Sequence, residues 1–309
     1  MKKFNEQIIF FILCLLLAII VIGMVTPYNK DGYNRAFFVK DSTLINRTEP
    51  AIILVGGSNV AFGFDSKEIE DSLGVKVINS GLHAGLGLNF IIDNIADRVR
   101  KGDVVVLCPE YTHFFGITAF GGQPLADLFY ISPKYIYKYI NNYDQIKCIL
   151  TNTPAFLKSK LEYMLVFAIL PEYETIYRKS AFNQYGDVTA HWNKGNKSYA
   201  QFENFGEGGI NYKVIYHYIN KINEMKSKGV NVLFFPPALS ETTFKNTKGD
   251  IMRIDSIFQK YNIKTFIPAK NYVFNDSLFF DTPFHLTYQG AVLHTQLLIG
   301  DLKKILSSK

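Results

Sequence analysis

Cysteine is scarce in this chain. The three present, Cys14, Cys108 and Cys148, show no Cys-x-x-Cys spacing and no Cys/His cluster, so neither metal nor cofactor is expected. The charge excess is only +6, and no dense Lys/Arg run is interleaved with aromatics. That argues against nucleic acid as a partner and fits a mildly basic face near anionic lipid or wall polymer. Tryptophan occurs once, at Trp192, and no internal repeat or low-complexity tract is visible. Solenoid and disordered architectures therefore have no support.

Present instead, at the N-terminus, is an apolar run. Lys2 and Lys3 precede Ile8–Val25, a charge-free stretch of about 18 residues, long enough for one helical membrane span with its short basic end in the cytoplasm. The sequence from Gly23 to Pro27 lacks an Ala-x-Ala-like site, which favours an uncleaved signal anchor over a removed signal peptide. The expected organisation is a cytoplasmic end at 1–7, an anchor at 8–26, a mixed polar stalk at 27–48 and one domain at 49–309. The domain would lie outside the cytoplasm.

Beyond the stalk, apolar runs and amphipathic patterns alternate. Ala51–Val55, Val75–Ile78, Val104–Leu107, Val230–Phe235 and Lys264–Ile267 read as strands. Asp65–Leu73, Leu88–Arg100, Tyr212–Lys228 and Asp250–Tyr261 read as helices. This alternation predicts an α/β fold with a parallel sheet covered on both faces. Residues of about 112–209 exceed what a crossover needs and read as a Tyr/Phe-rich helical insertion beside the ligand-binding edge.

Two segments carry chemistry. Ser58 follows the run Ala51–Val55 and the turn Gly56-Gly57, a place that puts a hydroxyl at the C-terminal edge of a sheet. Near the other end, Asp281-Thr282-Pro283-Phe284-His285 forms a proline-containing loop that can present a carboxylate and an imidazole together. A serine hydroxyl becomes a useful nucleophile when a histidine takes its proton and a third group fixes the histidine tautomer.

These residues resemble the SGNH (GDSL-type) hydrolases. Gly56-Gly57-Ser58-Asn59 is similar to the first block of that family, Asn79-Ser80-Gly81-Leu82 to the second, and Asp281 with His285 to the last. The resemblance implies a flavodoxin-like three-layer α/β/α sandwich with Ser58 as nucleophile, His285 as base and Asp281 as its orienter. It further implies an oxyanion hole built from the backbone amides of Ser58 and Gly81.

The chain departs from the family pattern at three points. Gly57 stands where Asp usually precedes the serine, and four rather than three positions separate Asp281 from His285. After the third strand the chain reads Cys108-Pro109-Glu110-Tyr111, without the asparagine that donates to the oxyanion. Tyr111, Asn89 or another group is then expected to supply the third donor, with Asn59 and Glu110 placed to touch substrate. Of the remaining histidines, His83 and His113 fall beside the candidate site, and His191, His217 and His294 in insertion and helices.

The implied activity is that of a membrane-anchored serine esterase or O-acyltransferase acting on O-acetyl or other acyl esters of cell-envelope polysaccharide. A multispanning membrane acyltransferase is a candidate partner. The competing expectation is a catalytically inactive glycan-binding or assembly subunit on the same fold.

Overall fold

In the computed structural model, residues 2–25, 28–169, 176–205, 208–261, 263 and 268–307 are described. The apolar runs form a four-stranded sheet from β1 (Ile52–Val55), β2 (Val77–Asn79), β3 (Val104–Leu107) and β4 (Asn231–Phe234). All neighbours are parallel, in the order β2-β1-β3-β4. Residues 264–267, expected as a fifth strand, lie outside the described residues.

Alternate side chains of each strand enter opposite layers, which is why these strands read as mainly apolar runs. Ile53, Val55, Val105 and Leu107 join one core, and Ile52, Leu54, Val106 and Leu233 the other. The first core receives α2 (Ala36–Asn46), α5 (Leu88–Arg98) and α9 (Tyr212–Ser227). The second receives α4 (Ser66–Leu73) and α11 (Tyr288–Ser307). The sheet is thus covered on both faces.

Helix limits follow capping. Asp65 accepts from the Glu68 amide to start α4, and Gly74 ends it at φ 65° in the left-handed region. Helix α10 spans Glu241–Lys260 rather than starting at Asp250, because the Ser240 hydroxyl caps the Thr243 amide and opens the helix nine residues earlier than the apolar pattern begins. A two-stranded parallel pair, β5 (Leu239–Ser240) and β6 (Val273–Phe274), flanks it.

The insertion holds α6 (Gln123–Ile131), α7 (Pro133–Ile136) and α8 (Tyr143–Ile169), with α6 packed along α8. Preceding α2, the 3-10 turn Tyr33–Arg35 and α2 itself are built into the domain. Tyr33, Phe37 and Leu44 are buried, and Arg98 pairs with the buried Asp41 at 2.8 Å. The segment expected as a stalk is therefore part of the core.

The N-terminal run forms α1 (Lys2–Val25), which exposes Phe4, Ile9, Phe10, Phe11, Leu13 and Leu17 by half or more of their surface. Its far end touches the insertion, where Lys160 donates to the Gly23 carbonyl at 2.5 Å. Among the described residues no helix is long and apolar enough to cross a membrane.

Candidate active site

Ser58 opens a short helix, α3 (Ser58–Ala61), directly after β1 and its glycine turn. Close approach explains both glycines. A Cβ at Gly56 would lie 2.5 Å from the Cys108 carbonyl oxygen at the end of β3, and one at Gly57 would lie 2.8 Å from Glu110 Oε1. The absent Asp before the serine thus has a structural counterpart: Glu110 fills the space that a side chain at position 57 would need.

Asn59 ties the two strand ends together. Its Oδ1 accepts from the Gly57 amide at 3.0 Å and its Nδ2 donates to the Cys108 carbonyl at 2.8 Å. The side chain is 97% buried in effect, at 3% exposure, and is used up in holding the turn. It is a positioning residue rather than a substrate contact.

The second half of the site comes from the loop before α11. Phe279 bridges to Leu286, the Phe280 amide donates to the His285 carbonyl at 2.7 Å, and the Thr282 hydroxyl accepts from the His285 amide at 3.1 Å. This tight turn folds the carboxylate back over the ring despite the four-residue spacing. Asp281 Oδ1 lies 2.8 Å from His285 Nδ1, so Nδ1–H donates and Nε2 is left as the basic nitrogen. Tyr177, from the insertion, donates to Asp281 Oδ2 at 2.5 Å. Burial raises the Asp281 pKa, but the hydrogen bonds from His285 and Tyr177 outweigh it and hold the carboxyl below its ordinary range.

Two contacts bring the halves together. Phe62, one turn after Ser58, stacks on the His285 ring with centroids 4.0 Å apart and planes 10° from parallel. Tyr33, whose hydroxyl donates to the Leu82 carbonyl at 2.8 Å, is buried beside both sets: burial raises its pKa first, then the charges of Tyr177, Glu110 and Asp281. No direct hydrogen bond joins Ser58 to His285. The Ser58 hydroxyl and the Asn59 amide instead stand near Glu110, whose charged form they favour.

The other expected site residues fall in different places. The Gly81 amide is spent on Asn79 Oδ1 at 2.9 Å, which removes it as an oxyanion donor in this conformation. The Ser58 amide makes no backbone hydrogen bond among the described residues. Tyr111 is fully buried and its hydroxyl donates to Asp255 Oδ1 at 2.9 Å, away from Ser58, so it is not the third donor. Asn89 lies in the first turn of α5 with Oδ1 buried and unpartnered, and no contact carries it to Ser58.

The loop after β2 is held from below. Buried Lys40 on α2 donates to the carbonyls of Asn79 (3.0 Å), Gly81 (2.5 Å) and Gly186 (2.6 Å). Burial pulls its pKa down to about 7 with Asp187 opposing, yet three carbonyl acceptors match the three N–H bonds of the ammonium form. The geometry argues for the charged form in this pocket.

Histidines divide as their environments dictate. His83 lies near His285 and is lowered to about 4 by burial, then by the charges of His285 and His113. His113 is lowered by burial and binds the Ala84 carbonyl at 3.0 Å. His191 binds the Leu286 carbonyl and His294 the Gly63 carbonyl, both structural. His217 on α9 faces Asp93 on α5 at 2.8 Å. Among the described residues no group of three or more His, Cys, Asp or Glu could hold a metal ion.

Nothing in the sequence marks Tyr33, Phe62 or, above all, Tyr177 as part of the site. An isolated tyrosine in an aromatic-rich insertion carries no spacing signal; only the fold brings it to Asp281. Neither the protein-family models nor the curated proteins contain a match to this chain.

Proposed function

We propose that the chain is a serine esterase or O-acyltransferase of the SGNH type, acting on acyl esters of cell-envelope polysaccharide. The observation that carries this reading is the Asp281–His285 pair at 2.8 Å with Phe62 of the Ser58 helix stacked on the imidazole. The strand order β2-β1-β3-β4 and the helices on both faces are compatible with a flavodoxin-like sandwich, whose ligands bind at the carboxyl ends of strands, where Ser58 and Glu110 stand.

The chemistry runs in two steps. Ser58 Oγ attacks the ester carbonyl carbon while its proton passes to His285 Nε2, and the carbonyl electron pair moves to oxygen beside the Ser58 amide. Collapse breaks the ester C–O bond, and the leaving alcohol takes the proton from His285. Water then releases acid; a sugar hydroxyl takes the acyl group instead. Asp281, held by Tyr177, stabilises the imidazolium between these events.

The anchor belongs to the same reading. A helix exposing large apolar side chains this densely needs an apolar partner. Together with Lys2 and Lys3 and the charge-free run to Val25, this supports a single-pass protein with its domain outside the cytoplasm. A multispanning acyltransferase beside it would supply the acyl group.

A second reading, a glycan-binding or assembly subunit without catalysis, draws on one observation: Ser58 stands near Glu110 and makes no hydrogen bond to His285. Fluorophosphonate labelling of residues 28–309 separates the two. Labelling that disappears in both Ser58→Ala and His285→Ala supports the enzyme. A folded wild type that takes no label supports the binding role.

A further inference from the structure

Glu110 is an unusual neighbour for a nucleophile. The residue is 4% exposed, its Oε1 is buried without a hydrogen-bond partner where it lies against Gly57, and the Ser58 hydroxyl and the Asn59 amide are near enough to favour its charged form. Its place is fixed on every side. Gly57 leaves it room, Ala84 packs over Gly57, and Glu110 itself begins the turn Tyr111–Phe114.

Among the described residues no cation faces this carboxyl. The titratable groups that feel its charge are Cys108 beside it on the β3 end and Tyr33 from the turn before α2; His83 and His113 flank Ala84, which packs on Gly57. Cys108 is raised by burial and then by the Glu110 charge, and Tyr33 by burial, then by Tyr177 and Glu110; both histidines are lowered and neutral near pH 7. A carboxylate enclosed by neutral groups is destabilised against its acid form.

We propose that Glu110 sets the direction of the Ser58 hydroxyl, acting as a neutral acid that donates to Ser58 Oγ in the reactive state and as a carboxylate that captures the Ser58 proton in a resting state. This rests on the reading of Ser58 as nucleophile. With Glu110 protonated, Oγ accepts from the carboxyl O–H, and the serine hydrogen is free to point to His285 Nε2. With Glu110 ionised, the serine hydrogen is drawn to the carboxylate, and the donor that His285 must deprotonate faces the wrong way. Burial moves the Glu110 pKa up to about 7, against the opposing bonds from Asn59 and Ser58, so the exchange falls near neutrality. No proton leaves the site in the exchange beyond the one Glu110 itself binds or releases.

The test is the rate of Ser58 labelling by a fluorophosphonate between pH 5.5 and 9 in wild type, Glu110→Gln and Glu110→Ala, each checked for folding by circular dichroism. The carboxamide of Gln accepts from the Asn59 amide and donates to Ser58 at every pH. Wild type is expected to lose labelling above pH 7, by about tenfold per further pH unit as a single group ionises. Glu110→Gln is expected to keep its pH 6.5 rate up to pH 9, and Glu110→Ala to be slower at low pH with no descending limb. Wild-type labelling that is level or rising from pH 7 to 9 overturns the proposal while leaving Ser58 as nucleophile. A descending limb retained in Glu110→Gln also overturns it. Absence of Ser58 labelling in wild type at every pH removes the nucleophile reading and this inference together.

Discussion

The ring of Phe62 lies flat on the imidazole of His285, 4.0 Å between centroids and 10° from parallel. Ser58 opens α3 and Phe62, four residues on, caps its C-terminal end. One rigid turn of helix therefore sets both the nucleophile and the plane of its base. Phe62→Leu keeps most of the volume and should cost under about 1.5 kcal/mol in denaturant unfolding, yet lower Ser58 labelling roughly tenfold by freeing the imidazole. Phe62→Ala should cost about 3–5 kcal/mol because the residue is 1% exposed. Equal labelling by wild type and Phe62→Leu would show that the stack does not position His285.

Tyr177→Phe tests the hold on Asp281. The phenol O–H donates to Asp281 Oδ2 at 2.5 Å, and hydrogen bonds to charged groups contribute about 1.5–3 kcal/mol. Its loss should reduce ester hydrolysis about 10- to 100-fold with KM little changed, since the imidazolium forms only as reaction proceeds. The sign with pH is fixed. Asp281 is held below its ordinary 3.8, so its contribution is present above that value and lost as pH falls through the folded pKa. Removing the phenol raises that pKa, and the acid limbs of activity and stability should both move to higher pH.

Much of this was legible in the chain and some was not. The four observed strands fall within or beside mainly apolar runs bounded by turn residues, a local pattern that survives folding. Ser58, Asp281 and His285 were visible because turns and a proline loop mark them. The Gly81 amide was misassigned because a side-chain cap from Asn79, two residues away, competes for it, and short Asx turns look like any polar loop. Tyr111 was misassigned because a residue just past a strand can point to either side, and here a buried acceptor, Asp255, draws it inward. Tyr177 had no local mark at all.

Glu110 makes a stability prediction separable from catalysis. Its folded pKa of about 7 lies above the ordinary 4.5, so the folded state binds more protons than the unfolded chain between those values. Stability is therefore lost as pH rises from about 4.5 to 7, by at most about 3 kcal/mol at 1.36 kcal/mol per pH unit. Glu110→Gln does not ionise. It should raise Tm relative to wild type more at pH 8 than at pH 5, and an equal difference at both values would place the carboxyl in a solvated, unperturbed state.

The N-terminal boundary can be tested by truncation. Sequence composition alone puts the domain start at 49, but Lys40 satisfies three carbonyls of the loops after β2 and before Asp187, and Asp41 pairs with Arg98. Removing α2 strips these acceptors of their donor and leaves Asn79, on which the Gly81 loop turns, without its support from below. Each buried carbonyl left unpaired costs about 1–3 kcal/mol, so their sum rivals the whole stability of an ordinary domain. Residues 28–309 should fold, melt cooperatively and, if the anchor reading holds, leave the membrane fraction. Residues 49–309 should be insoluble or melt far lower. Lys40→Met within 28–309 should lower stability by at least ~2 kcal/mol while leaving every triad side chain in place, because the lost bonds are to backbone rather than to Ser58 or His285. A stable 49–309 would mean that α2 is an accessory layer and that the Gly81 loop holds its shape through Asn79 alone.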